Sequence, residues 1–214
     1  MELQISVRQS PSTNDHEVCL LGNGENLISR FDNSMMGLDP DDMFVDPCPL
    51  FPKDEPHMAT IARCGCGVIG CGSVEVEIQR TEGFVTWKGV NSSTEIRFAA
   101  TQYETEVSRA MSDLSWETPD RTAARLISKQ VDRASLESRG YRYAWASGRC
   151  REGMMTVSLF TVPGQYQILV NEPWDGKGIE SIVGRLVDIL GQERDKWPNV
   201  EEFGTLRPTR ILDP

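Results

Sequence analysis

Between residues 73 and 99 the chain alternates apolar and polar side chains with little interruption, and this period of two constrains its fold more than any other stretch. In Ser73-Val74-Glu75-Val76-Glu77-Ile78 every second residue is apolar, so an extended backbone sends Val74, Val76 and Ile78 to one face and the glutamates to the other. Phe84 to Val90 repeats the pattern after Thr81-Glu82-Gly83, whose glycine can take the positive φ that a tight hairpin needs, and Thr94 to Ala100 predicts a further strand. At the start of the chain, Leu3, Ile5 and Val7 alternate with polar residues, and Glu17 to Leu21 can pair back after a Ser-Pro-rich turn.

Helical signals follow the strands. Thr101 with Glu104 three residues on forms a capping-box pattern for a helix to about Leu114, and Thr118-Pro119 opens a second helix running towards Gly140. Residues 141–147, 154–162 and 166–170 read as a meander, separated by glycines 148 and 153 and by Pro163-Gly164. Ile179, Ile182, Val183, Leu186, Val187 and Leu190 then fall at helical spacing, and that helix stops near Gly191. The predicted fold class is α+β, with antiparallel sheets of hairpins and meander packed against about three helices. Residues 1–214 are expected to form one domain, divisible into a mainly β lobe of 1–100 and a lobe of 101–214 with helices, meander and C-terminal helix.

The chemistry concentrates in Arg63-Cys64-Gly65-Cys66-Gly67-Val68-Ile69-Gly70-Cys71-Gly72. Three nearby thiols suggest a metal site or a redox pair, whereas a structural zinc site takes four ligands from Cys and His. His57 and Cys48 are the nearest candidates for a fourth, with His16, Cys19 and Cys150 further away. A single residue between Cys64 and Cys66 is shorter than the usual zinc-knuckle spacing. If residues 58–66 form a strand, Cys64 and Cys66 share a face, and Arg63 beside them favours a thiolate. The alternative is purely structural: the glycines serve a tight connection and the cysteines fill space as small apolar residues.

The run IARCGCGVIGCGSVEVEI, followed by FVTW, ATQYETEVSRA and SWETPDRTAARLI, resembles a family of bacterial hypothetical proteins with an RCGCG-x-x-GCG cysteine/glycine loop ahead of strands and two helices, over roughly residues 36–171. The resemblance implies no activity. Family members often carry another cysteine two positions after the third, where this chain has Ser73. A four-thiol site drawn from the loop alone is therefore not expected. No cofactor is expected and the loop is read as a tight connection without stoichiometric zinc; zinc is the alternative, with His57 or Cys48 as the missing ligand.

A formal net charge of −10 argues against nucleic-acid binding, which needs a basic surface to neutralise phosphates. Residues 1–60 hold 11 acidic and 3 basic side chains, a balance of −8, so the rest of the chain contributes −2. Much of that acidity lies in a proline-punctuated stretch with Asp39, Asp41, Asp42 and Asp46, read as part of an irregular loop over residues 32–57. Arg121, Arg125, Lys129 and Arg133 recur every fourth residue and predict a basic row on the second helix. These two patches are the candidate partner-binding residues, for a protein partner or across a homodimer.

With only His16 and His57 present, a histidine-based nucleophilic triad has little choice of base, and the glycine run lacks the lysine of a phosphate-binding loop. No apolar run reaches membrane-spanning length, no secretory leader is read at the N-terminus, and a cytoplasmic setting with reduced thiols is expected. The expected role is a non-catalytic binding or regulatory module. The alternatives are a small thiol or metal-binding protein using Cys64, Cys66 and Cys71, and, third, an enzyme using the acidic loop.

Overall fold

The computed structural model describes residues 1–11, 15–66, 71–164 and 166–204. It is an α+β fold whose chain forms two compact units, Met1–Trp116 and Glu117–Pro214. Among the described residues no helix is long and apolar enough to cross a membrane.

The first unit holds two antiparallel sheets. β1 (Leu3–Gln9), β2 (His16–Gly22) and the two-residue β3 (Glu25–Asn26) form one, in that order. The other is a meander of β4 (Met35–Gly37), β5 (His57–Cys64), β6 (Ser73–Thr81), β7 (Phe84–Gly89) and β8 (Glu95–Ala99). The alternation read from the sequence becomes burial: Val76, Ile78, Val85, Trp87 and Phe98 lose contact with solvent, and Gly83 turns the β6–β7 hairpin at φ +77°. Helix α2 (Ala100–Ser112) buries Tyr103 and Val107 in the same core.

That helix also protects an open sheet edge. The amide of Leu3 donates to Gln102 Oε1 at 2.9 Å, Gln102 Nε2 donates to the Leu3 carbonyl at 2.6 Å, and the amide of Ile5 donates to Glu106 Oε1 at 2.6 Å. Side chains of α2 thus take the backbone groups of β1 that a further strand would otherwise claim. The capping box expected at Thr101 does not form: Ala100 is already helical, Ala99 stands at the cap, and no side chain closes the first turn.

The stretch 32–57, expected to be irregular throughout, contains β4 and a one-turn helix α1 (Pro40–Met43). β4 crosses close to β2. The amide of Val18 donates to the Leu38 carbonyl at 2.8 Å, and a Cβ on Gly37 would stand 2.0 Å from the Val18 carbonyl oxygen, so only glycine fits there.

The second unit carries α3 (Pro119–Gln130), α4 (Arg133–Ser138), β9 (Tyr141–Ser147), β10 (Met154–Thr161), β11 (Gln167–Pro173), α5 (Ile179–Gly191) and β12 (Val200–Phe203). Its sheet runs β12-β11-β10-β9, all antiparallel. Ile127, Leu136, Val157, Leu159, Ile168, Leu186 and Leu190 meet in its core. The single helix expected from Thr118 to Gly140 is two: α3 ends at Gln130, and Asp132 caps α4 by accepting the Ser135 amide at 2.9 Å. About three helices were expected; with α1 and this break the described residues form five.

Candidate thiol centre

Strand β5 reaches Cys64 and stops. The Cys64 amide donates to the Gly72 carbonyl at 2.9 Å, which closes the connection into β6, where Ser73 stands opposite Arg63. The expectation that Cys64 and Cys66 share a strand face is therefore corrected, because Gly65 and Cys66 lie in a turn. Residues two apart on a strand stand about 6.7 Å apart. The turn does better: the Sγ atoms of Cys64, Cys66 and Cys71 all lie within 4.8 Å of one another.

All three are free thiols, Cys64 half-buried and Cys66 and Cys71 exposed. Metal–sulfur bonds of about 2.3 Å place tetrahedral sulfurs roughly 3.8 Å apart, so the trio needs to contract by no more than about 1 Å to hold an ion. The group already shares charge unevenly. The Cys66 amide, followed by the thiols of Cys66 and Cys71, hydrogen-bonds to Cys64 and holds its pKa below the ordinary thiol value. Cys71 is pushed up to about 11, first by its hydrogen bonds to the Cys64 and Cys66 sulfurs and then by their negative charge. These contacts favour the thiolate on Cys64 over that on Cys71.

Arg63, assigned by the sequence to that thiolate, is buried, and its Nη2 lies 3.4 Å from the His16 carbonyl. The Cys66 amide takes the role instead. Among the described residues no His, Asp, Glu or further Cys joins the trio. His57 begins β5, seven residues before Cys64 and so about 23 Å away along the strand, with Nε2 2.9 Å from the Pro49 carbonyl oxygen. Cys48 is buried, its Sγ 3.4 Å from the Met43 carbonyl oxygen, and burial raises its pKa. Cys150 lies exposed between β9 and β10.

Cys19 is closer in kind, though it does not join the group. It faces a cleft of about 190 Å³ that Gly65 and Met35 also line, and desolvation raises its pKa although the Arg8 guanidinium pulls the other way. Sequence reasoning passed over Met35. Its strand is only three residues long, and the register that sets Met35 directly opposite Cys64 is a long-range pairing with no local signal.

The aspartates have local work. Asp39 is buried and caps α1 by accepting the Asp41 amide at 3.0 Å, Asp41 and Asp42 form the first turn of α1, and Asp46 is exposed beyond it. Among the described residues these carboxylates do not converge on a common point. The basic row is also divided. Arg121 is buried, Arg125 grips Glu117 through Nε at 2.6 Å and Nη2 at 2.9 Å, Lys129 is exposed, and Arg133 sits on α4 with its guanidinium 4.7 Å from the Tyr143 ring centre. The exposed face of α3 is thus not a continuous basic stripe.

Compared with family models, curated proteins and solved structures, the chain gives no significant match.

Proposed function

We propose that this protein is a non-catalytic binding protein whose ligand is a thiophilic metal ion, held by Cys64, Cys66 and Cys71. The convergence of three free sulfurs within 4.8 Å at an accessible turn carries this reading. Thiolates are soft donors and select soft ions, and each thiol gives up its proton on coordination. Closed structural zinc is disfavoured, because such sites take four Cys or His ligands and the described residues supply three.

The reading is tested by titrating reduced protein with cadmium(II) and following the thiolate-to-metal charge-transfer band. One equivalent should bind, and Cys64→Ser, Cys66→Ser and Cys71→Ser should each weaken it. Cys19→Ser and Cys150→Ser should not. Absence of stoichiometric uptake, or uptake that survives replacement of all three loop cysteines, overturns the reading. Zinc near one equivalent in freshly purified protein would show that a fourth ligand completes a closed site after all.

A further inference from the structure

Three sulfurs leave a coordination position open, and the residue paired opposite Cys64 is a methionine. Met35 of β4 pairs directly with Cys64 of β5, and directly opposed residues of an antiparallel pair project to the same face with Cβ atoms about 4.5–5.5 Å apart. The side chain then reaches along the turn. Its terminal methyl lies 3.2 Å from the position a Cβ would occupy on Gly72, and the Cβ of Cys64 lies 4.0 Å from that same position. Gly72 follows Cys71 in the chain, so the end of the Met35 side chain lies close to Cys64 and to the residue after Cys71. A side chain at residue 72 would compete for that space. Met35 is itself half-buried and lines the cleft beside Gly65.

We infer that the Met35 thioether is a fourth ligand of the thiol centre, and that the centre selects a soft monovalent ion, copper(I), over zinc. This rests on the three-thiolate reading and adds the ion's identity. The donor chemistry argues for it. A thioether is a weak, neutral acceptor with no proton to lose, and it does not belong to zinc's usual set of thiolate, imidazole and carboxylate. Soft thiolate and thioether donors together are what copper(I) prefers. The neutral ligand also adds coordination without adding a fourth negative charge to a crowded group of sulfurs.

Position is held by the backbone. Gly37, two residues after Met35, passes against the Val18 carbonyl, and its amide lies 3.2 Å from the buried Glu17 carboxylate. These contacts fix the end of β4, and the pairing of Met35, Met36 and Gly37 with Cys64, Arg63 and Ala62 fixes its register.

The test compares full-length wild type with Met35→Leu, a volume-conserving change that replaces the thioether with a branched hydrocarbon. Copper(I) affinity is measured anaerobically by competition with a chromophoric copper(I) chelator, and cadmium(II) affinity by the charge-transfer band. Wild type should hold one copper(I) per chain, and X-ray absorption should show sulfur coordination that includes a thioether. Met35→Leu should weaken copper(I) at least about tenfold, equivalent to roughly 1.4 kcal/mol, while cadmium(II) binding and thermal stability stay unchanged. Equal copper(I) affinity in the two proteins overturns the role of Met35 and leaves the three-thiolate reading standing. Equal losses for both ions would show that Met35 only shapes the turn, which also overturns its role as a ligand. Failure of wild type to bind either ion overturns both readings.

Discussion

Tyr103→Phe removes one oxygen from the centre of the first unit, and the structure makes its cost calculable. The Trp87 indole donates to the Tyr103 hydroxyl at 3.0 Å, and that hydroxyl donates to the Leu50 carbonyl at 2.7 Å. All three residues have no measurable exposure, so water cannot replace the lost partner. The substitution leaves a buried N–H and a buried C=O unsatisfied, at about 1–3 kcal/mol each, while the ring continues to pack. A loss of about 2–6 kcal/mol follows, or about 1–3 M in urea midpoint for a slope of about 2 kcal/mol/M. The phenol also predicts a pH dependence. Burial is the main cause raising its pKa above the ordinary 10. The unfolded chain therefore releases this proton first as pH rises, and its contribution to stability is intact below pH 10 and declines above it, by up to about 1.4 kcal/mol per pH unit. Urea unfolding of wild type and Tyr103→Phe from pH 7 to pH 11 measures both effects. The gap between the two proteins should be widest at neutral pH and narrow above pH 10. A neutral-pH loss below about 0.5 kcal/mol would mean that Trp87 and Leu50 find other partners, and a gap that stays constant to pH 11 would refute the buried neutral phenol.

Among the thiols, brief alkylation near neutral pH should modify Cys64 before Cys71, because hydrogen bonds favour the thiolate on the first and the neighbouring sulfurs oppose it on the second; buried Cys48 should react last. Mass spectrometry of differentially labelled peptides reads the order, and early labelling of Cys71 would contradict the assignment of the thiolate to Cys64 over Cys71. Gly37→Ala should cost about 1–3 kcal/mol, since the added carbon would meet backbone that has no rotamer to escape into. Thermal melts check it, and a melting temperature equal to wild type would show that β2 and β4 are not held as closely as the contact at Val18 requires.

Much of the sheet structure was legible because burial on one face writes itself into the sequence with a period of two. Val74, Val76, Ile78, Val85 and Trp87 all lie where alternation put them, and α5 follows its apolar rows in the same way. What escaped lacks a repeating signal. β4 has three residues and α1 has four, too few for any period to register, and both sit among Asp, Pro and Met. The break between α3 and α4 was hidden by Arg121, Arg125, Lys129 and Arg133, whose four-residue spacing runs unbroken across Val131-Asp132; the readable clue was Asp132 ahead of Ser135, an N-cap pattern. The Thr101–Glu104 pattern misled for the opposite reason. It has the spacing of a capping box, yet Ala100 directly continues β8 into the helix and leaves Thr101 inside the first turn.

The thiol group shows why a motif can be visible while its geometry is not. Spacing alone said that Cys64, Cys66 and Cys71 are close in sequence, and an extended strand would have kept the first two nearly 7 Å apart. Convergence depends on ending β5 at Cys64, and that ending is set by backbone pairing: Ser73 already opposes Arg63 and the Gly72 carbonyl already takes the Cys64 amide, which brings the residue after Cys71 beside Cys64. The β5–β6 ladder thus sets Cys64 beside the residue that follows Cys71, and the β4–β5 register sets a methionine, not an acidic residue or a histidine, opposite Cys64. Both are long-range consequences of burying Ala59, Ile61, Val76 and Ile78 in one core. A one-residue slip of β4 against β5 would turn Met35 to the opposite face from Cys64, so the proposed thioether ligand depends on the register of a three-residue strand.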